Sequence, residues 1–97
     1  MSKQDEFTKS ARGQECQVRI PGHCNGNSET TVLCHFNGFR VGHKALNIHA
    51  AFGCSGCHSW LDHGYARETD KQIRDLYHLE AILRTQQIWV RDGLLEI

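Results

Sequence analysis

Two cysteine pairs constrain this chain more than any other feature. Cys16 and Cys24 flank a turn containing Pro21 and Gly22, and Cys54 and Cys57 flank a tighter turn containing Gly56. With 29 residues between them, the pairs suit one tetrahedral zinc ion on four thiolates, since each turn offers two sulfurs at about 2.3 Å from a shared ion. The seven-residue gap inside the first pair is wider than that of a common zinc knuckle. A chain of 97 residues suits one domain, and a domain this small gains from a metal staple because its core is modest. The bland alternative is unligated buried cysteine packing as a small hydrophobe.

Cys54-Ser-Gly-Cys57-His58 fits two other chemistries on paper. A thioredoxin-type redox pair is preceded by an apolar strand, as here, but its fold carries a proline downstream of the pair. The only proline is Pro21, upstream, and the alternating strand–helix pattern is missing. Haem attachment through Cys-x-x-Cys-His takes place outside the cytoplasm and leaves Cys16 and Cys24 without a role.

Charge and hydropathy bound the setting. Eleven basic and eleven acidic residues cancel, so an anionic partner is drawn by a local patch or by bound cations and not by bulk charge. The N-terminus MSKQDEFTKS is polar, and no stretch approaches the ~18 apolar residues of a membrane span. The expectation is a cytoplasmic protein without membrane contact, in a reducing compartment where paired cysteines bind metal more often than they form disulfides.

The chain is expected to form a polar N-terminal segment over residues 1–13 and a single domain over 14–97. The N-terminal segment reads as frayed, with at most a short helix over Glu6 to Ala11. The region from Gln14 to Asp62 holds every cysteine, and Gly and Asn punctuate it into turns. Between the turns lie strand-like runs: CQVRI (Cys16 to Ile20), TTVLCHF (Thr30 to Phe36) and NIHAAF (Asn47 to Phe52). From Glu68 to Asp92 the pattern is helical, capped by Thr69 or Asp70 and followed by Gly93. Ile73, Leu76, Tyr77, Leu79, Ile82, Leu83, Trp89 and Val90 recur at three- and four-residue steps and are predicted to cover the core.

Zinc accounts for the cysteines but not for His58 and Asp62. On a helix starting near Cys54 or Ser55 these two are four residues apart and share a face. An imidazole and a carboxylate so placed can hold one divalent cation. His63 falls off that face and reads as an exposed helix-end histidine, while Trp60 and Leu61 dock the helix on the strands.

Upstream, His35 closes the run TTVLCHF and Asn47 opens the next candidate strand. The order is strand with His35, loop, Asn47, strand, cysteine turn, then helix with His58 and Asp62. In order and residue type this resembles the His-Asn-His (HNH) branch of the His-Me finger, or ββα-metal, endonucleases. Within it, the chain is most similar to the small prophage-encoded YbcO-like nuclease family. The matching segments are ARGQECQVRIPGHCNGN (Ala11 to Asn27), LCHF and CSGCH, and the resemblance runs from about Ala11 to Gly93.

The resemblance implies an α+β fold: a small zinc-stapled ββα-metal core with a long C-terminal helix. It places His35 as general base and Asn47 as the residue that steadies the loop and orients the base. It makes His58 and Asp62 ligands of a catalytic divalent cation, Mg2+, Mn2+ or another, and the paired cysteines ligands of a structural Zn2+. The reaction implied is hydrolysis of DNA phosphodiester bonds. A histidine titrates near neutral pH and can take a proton from water. A cation with open positions can neutralise the phosphate and the departing oxygen.

One position departs from the pattern. Members often carry Asp or His just before the base, and here that residue is Cys34, either a soft ligand or, the preferred reading, a silent core cysteine. The alternative function is therefore a non-catalytic zinc-stabilised nucleic-acid-binding module with a degenerate nuclease core. Arg12, Arg19, Arg40 and Lys44 are the candidate DNA contacts, by their places beside the knuckle, on a strand or in the loop. His23 is a spare ligand in the first knuckle and His43 lies in the loop. His49 alternates on the second strand, and His78 is expected to face solvent from the long helix.

Overall fold

The turn-rich region folds against a hairpin. The computed structural model describes residues 3–36 and 46–96. Its elements are α1 (Lys3–Ser10), β1 (Val32–His35), β2 (Ala50–Gly53), α2 (Ser55–Asp62) and α3 (Lys71–Arg91), with single 3-10 turns at Ser28–Thr30, Asn47–His49 and Gly64–Arg67. The fold is α+β: β1 and β2 form a two-stranded antiparallel sheet, with His35 opposite Ala50 and Val32 opposite Gly53. Among the described residues no helix is long and apolar enough to cross a membrane.

Two expected strands are modified. CQVRI is an irregular segment whose Val18 and Ile20 are both buried. Its one ladder-like bond runs from the Gln17 N–H to the Phe52 carbonyl at 2.7 Å. NIHAAF begins as the 3-10 turn Asn47–His49 and becomes strand only at Ala50. His49 is therefore not on a strand and lies in a small cleft with Phe36, Leu79 and Ile82.

The N-terminal segment is not frayed. Phe7 and Ala11 are four apart on α1, and both are buried. The Phe7 ring lies 4.5 Å from that of Trp89, whose indole also meets Phe52 edge-on at 5.6 Å and donates to Ser10 Oγ. Polar composition concealed two apolar contacts at helical spacing, and those contacts hold α1 on the core.

The long helix forms where the periodicity places it, but it turns a different face inward. Asp70 accepts from the Ile73 N–H at 2.9 Å and starts α3. Gly93, at φ +80°, ends it in a Schellman motif with Leu94 N–H bonded to the Trp89 carbonyl. Ile82 and Trp89 are buried as expected. Ile73, Leu76, Tyr77, Leu79 and Leu83 are exposed, and the inward stripe is Arg74, His78, Ala81, Ile82, Thr85 and Trp89.

The inward polar residues each hold backbone. Arg74 Nη1 donates to the Leu61 carbonyl, His78 Nε2 to the Cys34 carbonyl, and Arg84 to the Gln17 carbonyl. Thr85 Oγ1 accepts from the Phe52 N–H at 3.0 Å and donates to the Ala81 carbonyl. The outer edge of β2 at Phe52 is thus closed by Gln17 on one group and Thr85 on the other, which satisfies a buried edge that would otherwise be costly. His78 is buried, contrary to the solvent-facing expectation, and burial lowers its pKa so that it stays neutral.

If these polar bonds fix the helix, Thr85→Val destabilises the fold by about 1–3 kcal/mol, because it strands the Phe52 N–H. Leu83→Ser, on the outer face, changes stability by about 0.5 kcal/mol or less. Urea unfolding of both variants checks this; equal losses would contradict it.

Candidate metal and nuclease-like site

Cys16, Cys24, Cys54 and Cys57 come together as the spacing predicted. Their sulfurs all lie within 4.8 Å of one another, and those of Cys24 and Cys54 are 3.9 Å apart. A tetrahedron with bonds of about 2.3 Å has sulfur–sulfur edges of about 3.8 Å, so the cluster fits one zinc ion with little movement. Backbone N–H groups point at the sulfurs: Ile20 to Cys57 at 3.4 Å, Asn25 to Cys54 at 3.4 Å and Cys57 to Cys54 at 3.5 Å. Such donors favour the thiolate form that binds metal. The Cys57 thiol bonds to Cys16, which lowers the pKa of Cys16 and raises that of Cys57. A cation in that place substitutes for the shared proton.

The two knuckles touch closely. A Cβ on Gly56 would collide with the His23 carbonyl, so only glycine lets the second turn approach the first. The first turn closes through His23 and Cys24 N–H bonds to the Ile20 carbonyl, with Gly22 at φ +80°. Cys34 stands outside this group. It is buried in the core, and burial pushes its thiol up to about 12, which suits a packed hydrophobe and not a thiolate ligand.

Cys54 also caps α2, with its sulfur accepting from the Cys57 N–H. The helix therefore begins at the metal cluster, and His58 is the next residue after the last sulfur. His58 Nε2 lies 3.5 Å from Asp62 Oδ2, one turn on, with both side chains about half exposed. Trp60 and Leu61, on the other face, are buried, as expected for docking residues. His63 is the exposed cap at the helix end.

The other pair lies where the chain passes from β1 to β2: His35 ends β1 and Asn47 opens the 3-10 turn that precedes β2. His35 Nε2 meets Asn47 Oδ1 at 2.7 Å, and Asn47 Nδ2 donates to Thr8 Oγ1 at 2.9 Å. Because the amide nitrogen is committed to Thr8, the amide oxygen faces His35. An amide oxygen accepts, so the neutral ring that makes this bond is the tautomer with its N–H at Nε2. Burial dominates at Cys34 and His78, and Asp62 adds to its effect at the thiol and opposes it at the imidazole.

Thr8 and Glu68 escaped the sequence reading. Thr8 sits on a segment read as frayed, and no pattern marks a single threonine. Glu68 accepts from Trp60 Nε1 at 2.7 Å and pairs with His23 Nε2 at 2.8 Å, and both lower its pKa, the indole more. His23 is thereby tied to the segment after α2 and is not drawn into the sulfur cluster. Of the candidate DNA contacts, Arg12 and Arg19 are exposed, and Arg40 and Lys44, like His43, lie outside the described residues.

Comparison with known proteins gives the same grouping for the chain as a whole. The family model described as "Putative nuclease YbcO" matches residues 5–94. The chain belongs to this YbcO family. The "Putative nuclease YbcO" of Escherichia coli (strain K12) is 41% identical over 101 aligned positions, covering 94% of this chain and 97% of that protein. The protein described in the same words from Enterobacteria phage 82 is similar to the same extent. A solved structure, of a putative bacteriophage protein from E. coli K-12 MG1655, superposes with a TM-score of 0.75 at 42% identity, covering 90% of this chain and 99% of that one.

The metal cluster gives a direct test. Gly56→Ala is expected to cost about 1–3 kcal/mol, as overpacking does, and to weaken zinc retention against a chelator. Cys34→Ser retains one zinc per chain. Metal analysis and chelator competition read both outcomes; zinc lost from Cys34→Ser and held normally by Gly56→Ala would reverse the assignment.

Proposed function

We propose that this chain is a metal-dependent endonuclease of the HNH, or His-Me finger, type that hydrolyses DNA phosphodiester bonds. The observation that carries this reading is the His35–Asn47–Thr8 chain, which holds the His35 imidazole through Nε2 at the end of β1. The element order β1, β2, α2 and the family's description as nucleases support it.

His35 is the general base. Asn47 holds its ring and tautomer, so Nδ1 takes the proton from the attacking water. His58 and Asp62 fit a second metal site, since an imidazole nitrogen and a carboxylate oxygen 3.5 Å apart can close on one ion. A divalent cation there supplies charge neutralisation for the phosphate and the leaving oxygen. The paired cysteines would hold zinc for structure, and Cys54, which caps α2, ties the start of that helix to the cluster and so fixes where His58 projects. Arg12 and Arg19, with Arg40 and Lys44, are proposed to contact the DNA backbone.

One observation favours the second reading, a binding module that has lost catalysis. Cys34 occupies the place of a further metal ligand and is buried with its thiol protonated.

Plasmid cleavage with added Mg2+ or Mn2+ separates the two. His35→Ala keeps its zinc and its fold and loses about 10²- to 10⁴-fold in rate. Asp62→Ala needs roughly 10- to 100-fold more cation, and excess Mn2+ partly restores it. Equal cleavage by a folded His35→Ala protein would place the base elsewhere. DNA binding without cleavage by the wild type would favour the module.

A further inference from the structure

The geometry points to a binding groove for nucleic-acid phosphates, formed by Arg19 together with Arg84 and Arg91 between the first cysteine segment and the C-terminal half of α3. The inference rests on the nucleic-acid reading above but uses none of its reacting residues.

An open groove of about 510 Å3 runs between these elements. Gln17 gathers two of its arginines, which are 65 residues apart in sequence. Arg84 donates through Nε and Nη2 to the Gln17 carbonyl at 3.1 and 2.6 Å. Arg19 donates through Nη2 to Gln17 Oε1 at 3.2 Å and through Nε to the Cys16 carbonyl at 3.3 Å. All these acceptors are neutral. The two guanidiniums are held in place, but their charges are not cancelled, and each has N–H groups to spare. Two like charges drawn onto one residue form a prepared anion site.

Arg91 extends the site. It lies seven residues beyond Arg84, two helical turns and about 10 Å along the same wall. That distance matches about three successive phosphates of a B-form strand at roughly 3.4 Å of axial rise each. Among the described residues Glu15 is the one acid lining the groove, and Asp92 pairs with Arg91 from its side. Three arginines against Glu15 and Asp92 leave this face with a formal excess of one positive charge, carried by the Arg19 and Arg84 guanidiniums, unpaired among the described residues.

The lining argues for nucleic acid over an acidic protein. Of the lining residues among those described, only Ile88 is apolar, and the rest are arginines, amides and Glu15. A protein partner needs an apolar centre to its interface. Guanidiniums alternating with glutamine amides suit a polar, repetitive, anionic strand.

The test is fluorescence anisotropy with the zinc-loaded full chain, without added divalent cation. The ligand is a labelled DNA of about 20 nucleotides at roughly 50 to 200 mM salt. Arg84→Gln/Arg91→Gln is expected to weaken binding about 10- to 100-fold and to lower the log–log salt slope by about 2. Arg91→Gln alone, at an exposed position that the fold does not need, lowers the slope by about 1. Lys71→Gln, at the opposite end of α3, leaves both unchanged. The groove is overturned by wild-type affinity and slope in the arginine variants, or by a wild type that binds no DNA. It is equally overturned if poly-glutamate displaces the DNA with the same arginine dependence, which would make the ligand an acidic peptide. Arginine-dependent binding by a protein that cleaves nothing with Mg2+ or Mn2+ would sink the nuclease reading and leave the groove standing.

Discussion

Everything near the site depends on four sulfurs being forced into one small volume. Four thiolates there repel one another, and four thiols waste the backbone N–H groups aimed at them. One cation resolves both problems, and its binding energy then becomes folding energy. The clasp joins the turn at Pro21 to the corner between β2 and α2, where Asn25 Nδ2 also donates to Ser55 Oγ at 2.9 Å and Gly56 runs against the His23 backbone with no room for a side chain. Because Cys54 is both a cluster member and the α2 cap, the same clasp sets the start of the helix and so the direction of His58.

The rest of the scaffold is held from the other side by α3. The sheet has only two strands, too few to be stable alone in water. The helix supplies what further strands would have supplied, donors and acceptors for strand edges: His78 on β1, Thr85 on β2. Each bond adds only about 0.5–1.5 kcal/mol, but losing one partner leaves a buried group bare at greater cost. α1 completes the frame. Phe7 inserts beside Trp89, which brings Thr8 to Asn47 and links the N-terminal helix to the orientation of His35.

Some of this was legible in the sequence. The cysteine cluster followed from turn chemistry and spacing, since thiol pairs on tight turns have few other uses in a small chain. β1 followed from the β-branched run TTVLCHF, whereas the order of strand, strand and helix was supported by the family resemblance more than by local pattern. The His58–Asp62 pair followed from helical periodicity alone. The inward face of α3 did not follow, because periodicity scores apolar side chains whereas this helix docks through Arg74, His78, Arg84 and Thr85. A polar residue reads as solvent-facing until the backbone group it meets is known. The same limit hid Thr8 and Glu68: Thr8 bonds to Asn47 and Glu68 bonds to both Trp60 and the distant His23, and no local pattern encodes such contacts.

The central claim is that two kinds of metal site lie side by side, one of sulfur and structural, one of imidazole and carboxylate and exchangeable. Anomalous diffraction from a crystal soaked in Mn2+, recorded at the zinc and manganese edges, tests it most directly. The account predicts a zinc peak at about 2.3 Å from the sulfurs of Cys16, Cys24, Cys54 and Cys57, and a manganese peak between His58 and Asp62. Zinc bound at His58 with the cysteines free, or manganese at neither residue, would contradict it.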